Sequence, residues 1–346
     1  MKKHKNIPIF IPHEGCPNQC VFCNQRSISG VTRFDPTTVD AEIREALSTI
    51  SSDTECEIAF FGGSFTGIDR NLMVYLLSVA YEYVKAGRVS SIRCSTRPDY
   101  INEDILDILW NYGVRTVELG LQSVSERVLS ISGRGHGFAE EAQAVKLITE
   151  RGFALVGQMM IGLPGASYED EIRTAEFIVK SGAGAARIYP TVVFRDTPLC
   201  SMAQRGEYQP LSENEAIRRS LGAFRILHRG GVDVIRIGLS ASENLSGDAY
   251  YAGPNHSALG ELVINEFYYE NIKQKCYLLF QNKESRGAIL TIFVAPGSVS
   301  RAVGQRRKNI IRLTDVFGFA RIRVAEDVQL SELDIRLSVE GEIRCI

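Results

Sequence analysis

Between residues 8 and 239 the chain alternates short apolar runs with longer stretches of helical periodicity, and this alternation restricts the fold more than any other feature. Strand-like runs occupy residues 8–12, 57–61, 91–95, 116–121, 155–161 and 185–191, with a further extended run at 232–237. Amphipathic stretches at 39–50, 71–86, 103–112, 138–151 and 168–180 separate them and have the length of crossover helices. Parallel neighbours need such crossovers, whereas antiparallel ones are joined by short turns. Six β-α units predict an α/β fold, a partial TIM-like barrel over residues 1–245, followed by a small α/β extension over 246–346. Within the extension, residues 255–270 read as helix, and 275–281 and 288–295 read as strands.

Several strands run into glycine-rich or polar turns: Gly62-Gly63-Ser64, Thr96-Arg97-Pro98-Asp99, Gln122-Ser123 and Gly162-Leu163-Pro164-Gly165. In a β-α barrel the loops after the strands form the active face, so these turns converge at one mouth. The loop after the first strand carries Cys16, Cys20 and Cys23, three thiols at spacings of four and three. Cys56, Cys94 and Cys276 lie in or beside strand-like runs and read as small buried hydrophobes, while Cys200 and Cys345 carry no assignment. Eight cysteines in 346 residues are too sparse for a disulfide scaffold, and three crowded together read as a metal site in a reducing, cytoplasmic setting.

A net charge of −2, from 39 Lys+Arg against 41 Asp+Glu, gives no global field for nucleic acid or anionic membrane, so any such binding needs a local patch. No segment reaches the roughly 18 consecutive apolar residues of a membrane helix. The apolar run after the basic first five residues is short and holds Pro8 and Pro12, unlike a signal peptide.

A short loop can place three thiolates on three corners of a cuboidal 4Fe-4S cluster. The fourth iron is then free to chelate the amino and carboxylate groups of S-adenosylmethionine. A three-cysteine zinc site completed by His13 is the alternative reading. The triad after a first strand, Gly62-Gly63-Ser64 after a second, and Gly157 to Gly165 after a fifth resemble the radical S-adenosylmethionine superfamily. The resemblance covers roughly residues 5–240. It implies a cluster held by Cys16, Cys20 and Cys23, reductive cleavage of S-adenosylmethionine, and an electron donor such as ferredoxin or flavodoxin.

For the cofactor, the resemblance implies that Gly62, Gly63 and Ser64 meet the methionyl amino group through backbone carbonyls. Gly162 and Pro164 mark the adenine-side turn. Ser95 and Arg97 are candidates for the carboxylate, because a guanidinium matches it in a bidentate way. Glu118 and Gln122 share one side of the fourth strand and are candidates for the ribose hydroxyls or substrate, with Gln122 favoured for ribose. Tyr189, at the end of the sixth strand, and His256 are candidates for hydrogen donation or substrate contact.

Thr96 to Tyr100, Gly133-Arg134-Gly135-His136, Arg187 to Thr191, Val234 to Leu239 and Gly253 to Leu262 are similar to the radical subunit of Elongator, which modifies wobble uridine in tRNA. Its cysteines are more widely spaced than these, and no acetyltransferase domain follows here. Oxygen-independent coproporphyrinogen oxidase shares the compact triad and the Gly-Leu-Pro-Gly turn, which keeps porphyrin or other small-molecule chemistry as the rival; where that family has a further cysteine, this chain has Asn24 and Gln25.

Residues 288–326 resemble part of a KH module: strand, short helix, the turn Gly304-Gln305-Arg306-Arg307, a second helix and a strand. The last position of the expected Gly-x-x-Gly loop is Arg307. Between residues 300 and 312 stand Arg301, Arg306, Arg307, Lys308 and Arg312 with no acid, a local patch suited to an RNA backbone, tRNA by the resemblance.

Overall fold

A computed structural model describes residues 4–11, 16, 20–23, 34–51, 53–239, 249–281 and 284–340. The chain forms two compact units, Met1–Ser257 and Ala258–Ile346. The first half of the first unit runs β1 (His4–Ile11), α1 (Val39–Ser48), β2 (Glu55–Gly62), α2 (Arg70–Lys85), β3 (Ser91–Thr96), α3 (Glu103–Asn111) and β4 (Val114–Gln122). It continues with α4 (Glu126–Ile131), α5 (Phe138–Glu150), β5 (Ala154–Ile161), α6 (Tyr168–Lys180), β6 (Ala185–Pro190), β7 (Val193–Phe194), α7 (Pro198–Gln204), α8 (Glu213–Arg229), β8 (Asp233–Ile237) and β9 (Tyr250–Ala252).

Seven strands form one parallel sheet in the order β1-β2-β3-β4-β5-β6-β8, a curled half-barrel with crossover helices. The sheet follows the expected α/β alternation, and the run at 232–237 supplies its seventh strand. β1 starts earlier than expected, at His4, and runs through Pro8: an edge strand tolerates a residue without an N–H. Alternation along β1 buries Ile7, Ile9 and Ile11, and the same period buries Ile58 and Phe60 in β2 and Val117, Leu119 and Leu121 in β4. α8, the crossover between β6 and β8, has a clear start signal: the Ser212 side chain caps the Glu215 N–H.

The opposite face of the sheet is polar. Glu57, Ser91, Arg93, Thr116, Glu118, Gln158 and Arg187 project from β2 to β6 and bond one another. The Arg93 guanidinium lies 2.7 Å from Glu57 and 3.0 Å from Glu118. Arg187 meets Glu118 at 2.9 and 3.1 Å, and Gln158 donates to it at 3.1 Å. His4 lies 3.0 Å from Glu57, and Ser91 donates to that carboxylate at 2.6 Å. Burial raises the Glu57 carboxyl, but the bonds from Ser91 and Arg93 win and hold it below its ordinary range.

The second unit contains α9 (Leu259–Leu279), β10 (Ile289–Val294), α10 (Val299–Val303), α11 (Lys308–Phe317), β11 (Arg321–Glu326) and β12 (Ile335–Val339). Its sheet runs β11-β10-β12, with β11 parallel and β12 antiparallel to β10. Residues 275–281, expected as a strand, are not one: the end of α9 takes residues 275–279. The reason is burial. Cys276 continues the helical face of Tyr268, Tyr269 and Ile272, which packs on Leu290, Ile292, Leu313 and Leu337. Cys56, Cys94, Cys200 and Cys276 are buried free thiols, and Cys345 lies outside the described residues. Burial pushes Cys94 and Cys276 up to about 12.

Glu118 is 1% exposed and answers two guanidinium groups. Glu118→Ala is expected to destabilise the chain by about 3–5 kcal/mol, because it leaves buried positive charge uncompensated. Glu118→Gln, which keeps the hydrogen-bonding shape, should cost less. Urea unfolding of both variants checks the order.

Candidate active site

The mouth of the half-barrel lies where the segments that follow the parallel strands β1 to β5 leave the sheet. Cys20 is buried, while Cys16 and Cys23 are exposed. The loop is held from both sides: Val21 N–H donates to Ser132 O at 3.0 Å, and Leu199 N–H donates to Val21 O at 2.9 Å. Val21 and Phe22 pack on Val193, Leu199, Cys200 and Tyr208. The Cys23 N–H closes a turn onto Cys20 O at 3.0 Å.

β2 ends at Gly62, which pairs with Ile11 and has a φ of +115°. A Cβ there would stand 2.7 Å from Ile11 O, so only glycine fits. Gly63 is half-buried. Ser64 is an anchor: its hydroxyl meets Thr96 Oγ1 at 2.9 Å and accepts from the Arg97 N–H at 3.2 Å, and its carbonyl accepts from the Gly67 N–H at 2.9 Å. Desolvation, helped by the neighbouring Cys20, pushes the Cys16 thiol up, while Arg97, Arg134 and a backbone bond from Ser64 pull against that shift.

The Arg97 side chain is held inward. It grips Asp99 in bidentate fashion at 2.9 and 3.0 Å, donates to Arg134 O, and points Nη1 at Cys20 Sγ from 3.7 Å. Arg134, which sequence reasoning gave no role, approaches the same sulfur at 3.5 Å and donates to Gly120 O at 2.5 Å. Behind them, burial and then Arg134 push the His136 imidazole down to about 4, and burial pushes Glu141 well above the usual carboxylate range.

Ser95 receives a bond from Gln158 at 3.5 Å, and Glu118 is enclosed by Arg93, Gln158 and Arg187. Both belong to the polar inner face, whose signal was visible: single charged or amide residues at alternate positions of apolar strands. Gln122 adopts a left-handed φ of +67° at a register break, and its Oε1 is buried without a hydrogen-bond partner. Such strain in a non-glycine residue needs support from its surroundings.

The Gly162 turn is braced from outside. Its N–H donates to Glu171 at 2.6 Å, and its carbonyl accepts from the Tyr208 hydroxyl at 2.6 Å. Burial raises Glu171 to about 7 against the pull of Arg219, which grips it at 2.5 and 2.8 Å. Pro164 is buried in this turn. Tyr189 is half-buried and hydrogen-bonded to Arg187. His256 is half-buried in the segment after β9.

In the second unit, Gly304 has a φ of +75°, and a Cβ there would meet the Asn309 side chain at 2.9 Å. Arg306 and Arg307 also adopt positive φ, and Gln305 to Lys308 are exposed. The other two basic residues are committed elsewhere. Arg312 is paired bidentately with Glu266 at 2.6 and 2.9 Å and lies 3.4 Å over the Tyr269 ring, and Arg301 meets Glu332 at 2.6 Å. The basic patch read from the sequence therefore contracts to Arg306, Arg307 and Lys308, because the neutralising acids come from distant segments.

Among the described residues, no group of three or more His, Cys, Asp or Glu gathers as ligands of one ion would. A cuboidal cluster binds each thiolate through a different iron, so its cysteines need not converge on a point. His13, the imidazole of the zinc alternative, lies outside the described residues. The donor set fits a cluster: three thiols on one loop, one of them facing two guanidinium groups.

Residues 10–178 match the family model of the radical SAM superfamily, and residues 184–269 match the radical SAM C-terminal domain. An uncharacterized protein of Methanocaldococcus jannaschii is 29% identical over 231 residues, 62% of this chain and 71% of that one. The tRNA uridine(34) acetyltransferase of the same organism is 26% identical, with 78% of this chain and 57% of that one covered. Elongator complex protein 3 of Homo sapiens is 26% identical, covering 60% and 46%. The chain thus spans about half the length of these two relatives. The solved structure of archaeal Elongator protein 3 from Methanocaldococcus infernus shares the fold, with a TM-score of 0.62 at 22% identity, over 80% of this chain and 64% of that one.

His136 is expected to stay neutral in the fold while its unfolded form titrates near its ordinary 6.5. A depressed imidazole makes the unfolded chain bind more protons between pH 6.5 and 4, so stability falls as pH drops through that window. Relative to His136→Gln, the wild-type chain should lose about 3 kcal/mol across it, as read from unfolding curves at each pH.

Proposed function

We propose that this chain, an enzyme of the radical SAM superfamily on an Elongator-like branch, modifies RNA, and that its substrate is a tRNA. In this reading Cys16, Cys20 and Cys23 hold a 4Fe-4S cluster. The observation that carries it is the meeting at one mouth of the cysteine loop, the Gly62 turn and the Arg97 segment, with Cys20 facing two guanidinium groups.

When bound, the cluster and S-adenosylmethionine supply one-electron cleavage to methionine and a 5′-deoxyadenosyl radical. The chain's own residues seat and enclose that chemistry. Gly62, whose missing Cβ admits the Ile11 carbonyl, turns the chain at the end of β2, and the Gly62 and Gly63 backbone carbonyls are the candidates to meet the methionyl amino group. Ser64 fixes this turn to β3 through Thr96. Ser95 remains the candidate for the carboxylate, since the Arg97 guanidinium already holds Asp99. The unpartnered Gln122 Oε1 suits a ribose hydroxyl donor. Gly162 and Pro164, braced by Glu171 and Tyr208, form the adenine-side turn.

Beneath the mouth, Glu118 and its partners close the inner face with groups that satisfy one another and leave bulk water no ready partner there. Tyr189, bonded to Arg187, stands at the end of β6 as a substrate contact or hydrogen donor, and His256 is held as a second candidate. In the second unit the strand-helix-turn-helix-strand order of residues 289–326 supports a KH-like RNA module. Exposed Arg306, Arg307 and Lys308 at its turn favour phosphate, and the relatives named for tRNA uridine(34) support that substrate class.

Replacing Cys16, Cys20 or Cys23 by alanine is expected to abolish iron uptake and the release of 5′-deoxyadenosine under reducing, anaerobic conditions. Wild-type protein that binds one zinc and leaves S-adenosylmethionine intact would sink the reading. Arg306→Glu with Arg307→Glu is expected to weaken tRNA binding at least about tenfold and to flatten its logarithmic salt dependence by about 1.5. Titrations at several salt concentrations check both, and comparison of modified nucleosides in tRNA with and without the gene identifies the product.

A further inference from the structure

We propose that Arg97 and Arg134 act together through Cys20 as positioning residues that raise the reduction potential of the cluster held by the triad. The inference rests on the cluster reading above. It gives a role to Arg134, which the cofactor assignments leave without one, and to Arg97, whose guanidinium is held by Asp99 rather than left for the cofactor carboxylate.

The two arginines come from different segments, one following β3 and the other lying between α4 and α5. Their Nη1 atoms nonetheless stand 3.7 and 3.5 Å from the same sulfur. Arg97 is 4% exposed, Arg134 5% and Cys20 6%, so water does little to screen the interaction. Each guanidinium is locked by its other arm. Arg134 bridges Cys20 to the Gly120 carbonyl at 2.5 Å, and Arg97 is fixed by Asp99 and by the Arg134 carbonyl.

A cluster that gains one electron becomes more negative, and part of that charge falls on its cysteine sulfurs. Two fixed N–H donors with full positive charge stabilise the reduced form more than the oxidised one, which moves the potential upward. Because the donors are held by other bonds, they need no rearrangement when the charge changes. Asp99 opposes them. Its carboxylate partly neutralises Arg97, so the network predicts opposite signs for losing an arginine and losing the acid.

The test is redox titration, followed by electron paramagnetic resonance, of the full chain reconstituted anaerobically with iron and sulfide, without S-adenosylmethionine. In Arg134→Gln the ratio of reduced to oxidised cluster at a fixed potential should fall at least tenfold, equivalent to about 59 mV for one electron. Arg134→Lys keeps the charge but cannot bridge two acceptors with a planar fork, and should fall between Gln and wild type. Asp99→Asn should move the ratio the other way, which a merely structural defect does not produce. If Arg134→Gln does not fold, the sign of the Asp99→Asn shift decides. Unmoved potentials, or Asp99→Asn moving downward, overturn this inference alone. A wild-type chain that assembles no cluster overturns the earlier reading and this inference with it.

Discussion

Glu118 accepts from Arg93 on one side and Arg187 on the other, and through Arg93 it is tied to Glu57, so one carboxylate links the inner face of the sheet from β2 to β6. A closed barrel fills its interior with apolar layers. In this half-barrel the carboxylates of Glu57 and Glu118 answer the guanidinium groups of Arg93 and Arg187 across the inner face. Buried ion networks are poor stabilisers compared with apolar packing of the same volume. Their contribution is direction: each side chain is held by two or more partners, which fixes the strand ends above them and hence the loops of the mouth.

The same economy of multiple anchoring governs the cysteine loop. Backbone bonds from Val21 to Ser132 and from Leu199 to Val21 hold it between the α4 end and α7. Cys20 is faced by Arg97 and Arg134, themselves anchored to Asp99 and Gly120. The opposite side of the mouth is braced by Glu171, Arg219 and Tyr208 around Gly162. Positional demands of this kind account for glycine at 62 and 162, where the backbone takes positive φ and a Cβ would meet a neighbour.

In the second unit, conformational strain and charge coincide. Arg306 and Arg307 both hold left-handed backbone at the turn between α10 and α11, an arrangement that non-glycine residues adopt at a cost of order 1 kcal/mol each. The buried Asn309, bonded to Asn265 O and Ala302 O, ties the start of α11 to the rest of the unit and supports that turn. Arg301 and Arg312 lie close in sequence but answer acids within their own unit.

Much of the fold was legible along the chain. The alternation of strand and helix periods, the glycine turns and the four-and-three spacing of the cysteines are local properties, set by backbone geometry and by which side chains face one way. Residues 275–281 misled because their apolar, strand-like composition was used to extend the buried face of α9, a choice made by packing. Sequence also could not tell where long charged side chains would find partners. Arg97 and Arg134 reach Cys20 across 77 and 114 residues, and Arg312 reaches Glu266 across 46. Periodicity and spacing belong to the chain itself, whereas such pairings exist only once tertiary packing has removed water and brought distant segments within hydrogen-bonding distance.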